Sequence, residues 1–150
     1  MTGATTTGTT ATVTWPVTSA EQLLTAELVD SLITLGGYPH PLFHPSPEQR
    51  AQGTLPPLMG QGVLLLAGGM AERTGALDDV IAMVGLSDVR FQTMVHAGSR
   101  IRLVMDLVST QTTRSGKRRN ALSWLVLDEQ DRAVLKATAH MLLHPAQEPG

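Results

Sequence analysis

The stretch from Gly60 to Thr74 constrains this chain most. It carries Val63, Leu64, Leu65, Leu66, Ala67 and Met70 and has almost no polar side. A helix that is apolar nearly all round is normally buried. The uninterrupted apolar run Val63 to Ala67 falls far below the ~20 residues that span a bilayer. The rest of the chain must therefore cover this helix. Gly68 and Gly69 lie inside it, and each costs ~1 kcal/mol against alanine in a helix interior. That cost predicts that another element approaches their backbone closely. Gly75 closes the helix.

Beyond Gly75 the hydrophobic period changes to two, the mark of half-buried strands. Val80 to Phe91 reads as a strand punctuated by Gly85, and His96-Ala97-Gly98 as a turn. Arg100 to Thr110 alternates, with Ile101, Leu103, Met105 and Leu107 on one side. Ala121 to Leu127 and Ala133 to Leu143 complete the run of strands. An antiparallel sheet that must hide one apolar helix curls around it, so the fold class is α+β.

The N-terminal half is less regular. Thr12 to Val17 is a short β-prone piece, held to an edge by Pro16. Thr18 and Glu21 stand at capping-box spacing and predict a helix start, followed by Leu24, Leu28, Leu32 and Leu35 at helical intervals. Gly36-Gly37 ends that helix. Tyr38 to Pro57 holds six prolines plus His40 and His44. It predicts a long structured loop with one helical turn around Glu48 to Gln52, and loops of this length in small domains usually carry function. The expected organisation is one domain over residues 12–145, with short flexible tails at 1–11 and 146–150.

With 42% hydrophobic and 16% charged residues the chain is neither disordered nor supercharged. A formal charge of −2 argues against a nucleic-acid or anionic-membrane binder. There is no cysteine, which removes disulfides, thiol nucleophiles and thiolate metal sites and fits a reducing compartment. The first residues show neither basic nor apolar character, so no secretory signal is expected and the expected location is cytoplasmic.

Two local patterns add a resemblance. One is the helix end Gly36-Gly37-Tyr38-Pro39-His40-Pro41-Leu42-Phe43; the other is Val89-Arg90-Phe91-Gln92-Thr93-Met94-Val95-His96-Ala97-Gly98. In order and spacing, with the apolar helix between them, they resemble the MaoC-like family of hot-dog fold thioester hydratases and dehydratases, over roughly Thr18 to Leu143. The resemblance implies a sheet wrapped on a central helix, a homodimer with pockets at its interface, and an acyl thioester of coenzyme A or an acyl carrier protein as ligand. Pairing in a heterodimer with a catalytic homologue is the alternative. Neither a cofactor nor a metal is implied.

The same alignment marks a departure. Tyr38 occupies the position of the family's catalytic Asp, and Phe43 that of its catalytic His. Hydration needs a base and an acid. Phe43 can be neither, and a phenol with an ordinary pKa near ~10 is a poor base. His40, and less so His44, are the candidates to replace them as acid or base; the competing reading makes both ordinary loop histidines bonded to backbone. Tyr38 either donates a hydrogen bond to substrate or fills the space of the Asp. Two histidines without a third ligand do not make a zinc site. The helix start Met59-Gly60-Gln61-Gly62 offers free backbone N–H groups at the positive helix end, which in the family polarise the thioester carbonyl. With Phe43 these are the expected substrate-binding residues. The implied activity is of dehydratase, isomerase or cyclase type, on an acyl thioester or polyketide-like biosynthetic intermediate; the alternative is a non-catalytic acyl-binding subunit. Arg90 is expected to order the chain by ion pairing. Arg114, Lys117, Arg118 and Arg119 form either a phosphate- or carrier-facing patch or a solvated hairpin.

Overall fold

The computed structural model describes residues 12–145, so both expected tails lie outside the described residues. Strand β1 (Val17–Thr18) and strand β2 (Gln22–Leu23) precede helix α1 (Ala26–Gly36). A 3-10 turn at Pro41–Phe43 and helix α2 (Pro47–Ala51) follow, then β3 (Pro57–Leu58) and the central helix α3 (Gly60–Arg73). Strands β4 (Val80–Phe91), β5 (Val95–His96), β6 (Arg100–Thr112), β7 (Arg118–Asp128) and β8 (Ala133–Leu143) complete the chain. The main sheet runs β1-β6-β7-β8-β4, with β2 also on β6, and every pairing is antiparallel. β3 and β5 form a separate pair.

The sheet curls because β4 is repeatedly bulged. Its register against β8 shifts between Val80 and Ala82, between Met83 and Gly85, and between Ser87 and Arg90. Each extra residue bends a strand and adds twist. The concave face carries Ile101, Leu103 and Met105 of β6, Leu122, Trp124 and Val126 of β7, and Ala139 and Met141 of β8, all buried. Val63, Ala67, Met70 and Ala71 of α3 complete this core.

The α3 expectation holds for one side of the helix only. Leu65 is 61% exposed on the other. Among the described residues, and apart from the helix's own backbone, nothing lies within 4 Å of a Cβ placed on Gly68, and at Gly69 only the Arg73 guanidinium does, at 3.2 Å. The close approach predicted at these glycines is absent among the described residues.

The N-terminal helix starts later than the spacing predicts. Thr25, not Thr18, is the cap, its side chain accepting from the Leu28 N–H at 3.1 Å. Residues 18–24 are instead drawn out along β6. Ser19 N–H bonds the Leu103 carbonyl at 2.8 Å, and Leu103 N–H donates to the Ser19 hydroxyl at 2.9 Å. The backbone groups of β6 needed partners, and this segment supplies them at the expense of a local capping box. The buried stripe of α1 is therefore Val29 and Ile33, while Leu35 is 83% exposed. Gly37 ends α1 in the left-handed conformation at φ +70°.

Candidate functional site

The site is built where the proline-rich loop, the start of α3 and the end of β4 meet. Gly37 turns the chain so that the Tyr38 ring folds back onto Gly36, where a Cβ would stand 2.6 Å from it. Phe43 meets Tyr38 edge to face, with ring centroids 5.3 Å apart and planes at 76°. Together they form one wall of a cavity of about 330 Å³. Met59, Gly60 and Gln61 provide its floor, and Phe91 and Met94 face them from the end of β4 and the segment after it.

The start of α3 has no side-chain cap. Gly62 and Val63 N–H both turn to the Met59 carbonyl, at 2.9 and 3.1 Å. Gly60 and Gln61 N–H have no backbone acceptor among the described residues. Of the expected helix-start residues, Met59, Gly60 and Gln61 line the cavity; Gly62 is buried behind them with its donor already engaged. Gly60 also owes its identity to a close approach: a Cβ there would lie 2.6 to 2.8 Å from three atoms of the Phe91 ring.

The two histidines lie elsewhere. His40 caps the 3-10 turn, its Nδ1 accepting from Leu42 N–H at 3.0 Å. His44 Nε2 donates to the Tyr38 carbonyl at 2.6 Å. Both are exposed and neither lines the cavity. The prolines give the reason: a loop with so few backbone donors is fastened by side chains, and the imidazoles serve that purpose. Tyr38 is the one ionisable side chain in the cavity lining. Its hydroxyl makes no hydrogen bond among the described residues. Among those residues no three His, Asp or Glu side chains cluster as metal ligands.

Other expected roles resolve as follows. Arg90 makes no ion pair among the described residues; the pairs are Arg50–Asp30, Arg102–Asp131 and Arg132–Asp128. The basic cluster surrounds the β6–β7 turn, and Arg118 Nε donates to the His144 carbonyl at 3.0 Å. Phe91 and Val134 line the cavity without having been singled out as site residues, and Met94 lines it with them. The sequence signal for Phe91 was an aromatic ending a strand beside the glycine-rich helix start.

No protein-family profile and no curated protein matches this chain. Solved structures do. A monoamine oxidase regulatory protein from Archaeoglobus is 22% identical, with a TM-score of 0.75, covering 88% of this chain and 90% of its own. A MaoC-like dehydratase from Rhodospirillum rubrum is 14% identical, with a TM-score of 0.71, covering 89% and 92%. The HadBC (3R)-hydroxyacyl-ACP dehydratase complex of Mycobacterium tuberculosis is 19% identical to this chain, with a TM-score of 0.62, covering 85% and 95%. These likenesses show the fold. The chain is an α+β hot-dog protein, shaped like the MaoC-like dehydratases and hydratases. No helix among the described residues is long and apolar enough to cross a membrane.

Proposed function

We propose that this hot-dog protein binds an acyl thioester with its carbonyl at the start of α3, and acts on it without an Asp/His pair. The observation that carries this reading is the pair of backbone donors, Gly60 and Gln61 N–H, at the floor of an apolar cavity. Partial positive charge at a helix start favours a carbonyl oxygen that gains negative charge. Tyr38 is the one ionisable side chain in the lining. The chemistry that fits is dehydration, isomerisation or cyclisation directed by carbonyl polarisation and cavity shape. His40 and His44 are assigned to holding the loop.

Crotonyl-coenzyme A against S-butyl-coenzyme A, which lacks the carbonyl, tests this by calorimetry. One or two neutral hydrogen bonds predict a preference of about three- to thirtyfold for the thioester. Equal affinities would remove the carbonyl site. A second reading, a non-catalytic partner of a catalytic homologue, is favoured by the lack of any carboxylate or imidazole in the lining. It predicts the same preference without turnover.

The protein is further proposed to pair through β4. Among the described residues the outer side of β4 has no partner strand, and Ile81, Met83 and Val84 are exposed on it. A bare apolar edge of this length invites a second chain. Light scattering should give about twice the chain mass; a monomer would refute the pairing.

A further inference from the structure

The convex face of the sheet, turned away from α3, carries a separate cavity of about 190 Å³. It is lined by Ser109 and Gln111 of β6, Arg119 and Ala121 of β7, and His140 of β8. Leu122 and Trp124 face the core, so strand alternation turns Ala121 outward. Ala121 stands between Ser109 and His140 in one cross-strand row, and Arg119 lies opposite Gln111 in the next. The single methyl of Ala121 leaves a hollow, and four polar side chains rim it. Among the described residues Arg119 makes no ion pair, and the Ser109 hydroxyl and Gln111 amide make no hydrogen bond. Thr110 and Asn120, on the other face of the same two strands, bond each other at 2.9 Å.

The imidazole of His140 is held in a fixed direction. Its Nε2 is 2.9 Å from the Ser87 hydroxyl of β4, and its Cδ2 lies 3.7 Å from a Cβ placed on Gly85, also of β4. That edge of the ring faces β4, so the Nδ1 edge faces Ala121 and the hollow. When Ser87 donates to Nε2, Nδ1 carries the hydrogen. The charge around the hollow has one sign. Between Leu107 and Leu127 the chain has Arg114, Lys117, Arg118 and Arg119 and no Asp or Glu. The acidic residues nearest in register, Asp106 and Asp88, do not line the cavity, and Asp106 Oδ1 accepts the Leu107 N–H at 2.9 Å.

We propose that this hollow binds a phosphate group, free or as a monoester, with Arg119 supplying charge and Ser109, Gln111 and His140 Nδ1–H supplying further donors. Ser87 is a positioning residue that sets the imidazole. Donors arriving from three strands suit a tetrahedral group with three or four acceptor oxygens better than a planar carboxylate. At ~30 Å³ per water the space takes one phosphate with its remaining hydration. The proposal is independent of the thioester reading, since the two cavities share no residue. It also leaves free the exposed Ile81, Met83 and Val84 assigned to a second chain.

The test follows the backbone N–H resonances of Ala121 and His140 at neutral pH and fixed ionic strength. Inorganic phosphate and phenyl phosphate are added in separate titrations, with acetate as the planar anion. Phosphate should saturate with a Kd of about 1 mM, as a shallow site with one full charge predicts, and acetate should bind at least about fivefold more weakly. The tighter of the two phosphates names the source, free or esterified. Arg119→Gln should weaken phosphate at least about tenfold, the worth of a charge-assisted hydrogen bond. Ser87→Ala should weaken it about two- to threefold, and Ser87→Thr should restore it. Ala121→Val is the better strand former and fills the hollow, so it should keep the fold and abolish saturation. Arg114→Gln and Lys117→Gln lie outside the hollow and should change affinity less than about twofold. Shifts that never saturate, equal affinity for phosphate and acetate, saturation that persists in Ala121→Val, or losses at Arg114 and Lys117 as large as at Arg119 would overturn the proposal.

Discussion

The contact between Gly60 and Phe91 can be tested by a substitution whose sign should reverse with its partner. In Gly60→Ala the new methyl would lie 2.6 Å from the Phe91 ring, whereas carbon atoms settle at ~3.5–4.0 Å. The ring must move by about 1 Å. It is free to do so outward, because Phe91 is 52% exposed. A phenylalanine buries ~200 Å² when fully enclosed, so about half of that is at stake here. At ~25 cal/mol per Å² the ceiling is about 2.5 kcal/mol. A shift of this size forfeits only part, about 1.5 kcal/mol. Alanine for glycine in a helix returns ~0.5 kcal/mol. Gly60→Ala should therefore destabilise by about 1 kcal/mol. In a Phe91→Ala background nothing opposes the methyl, and the same substitution should stabilise by about 0.5 kcal/mol. Urea denaturation of the four proteins, at one fixed concentration because assembly shifts apparent stability, gives the coupling directly. If Gly60→Ala had the same sign and size in both backgrounds, Phe91 would not be the reason for glycine at this position.

Two further outcomes are expected. Asp128 is buried, which alone would raise its carboxyl, but the Arg132 and Gln130 N–H groups and the Arg132 guanidinium bind the charged form and hold it below the usual carboxylate range. A depressed pKa contributes stability above the unfolded value of ~3.9 and loses it as pH falls through the folded one. Asp128→Asn should thus cost about 1.5–3 kcal/mol at neutral pH, with the gap closing in acid denaturation series below pH ~4; a gap that stays constant would contradict this account. For the loop, His40→Ala should lower stability by about 1 kcal/mol through the lost cap and leave crotonyl-coenzyme A affinity within about twofold, while Phe43→Ala should weaken that affinity several-fold by removing a cavity wall. A fall in turnover of ~10²–10⁴ on His40→Ala, the worth of a general acid or base, would restore the imidazole to the chemistry.

Much of the architecture was legible where the signals are local. β4 and β8 have the bounds that alternation and turn residues predict, Val80–Phe91 and Ala133–Leu143. α3 starts at Gly60 as expected and Gly37 caps α1. What failed depended on distant partners. The capping pattern at Thr18 is locally sound, but residues around it pair with β6, more than eighty positions away. In the site, Phe43 was visible because it ends the Gly36–Phe43 pattern, and the helix start because it opens the apolar helix. Phe91 and Met94, from the Val89–Gly98 pattern, and Val134 of β8 reach the cavity from across the chain, and nothing in the sequence announces that they face the helix start. The histidines illustrate the opposite case. A histidine before Pro41-Leu42 reads as chemistry by residue type, yet its ring is claimed by the next free backbone N–H.

The two borders of the sheet are unlike, and this limits how the protein can associate. One border, β4, has no partner strand among the described residues. The other, β6, is occupied over Arg100–Met105 by β1 and β2, and its remaining segment Asp106–Thr112 is mostly polar. Chains that stack border to border without end need two different free borders, one to give and one to receive. With only β4 to offer, the proposed pairing would join each copy to a second through like surfaces, and that two-fold contact would leave no bare border for a third. On that pairing the short N-terminal strands would be a stop against fibre growth, and removing them should convert a closed pair into a chain able to polymerise.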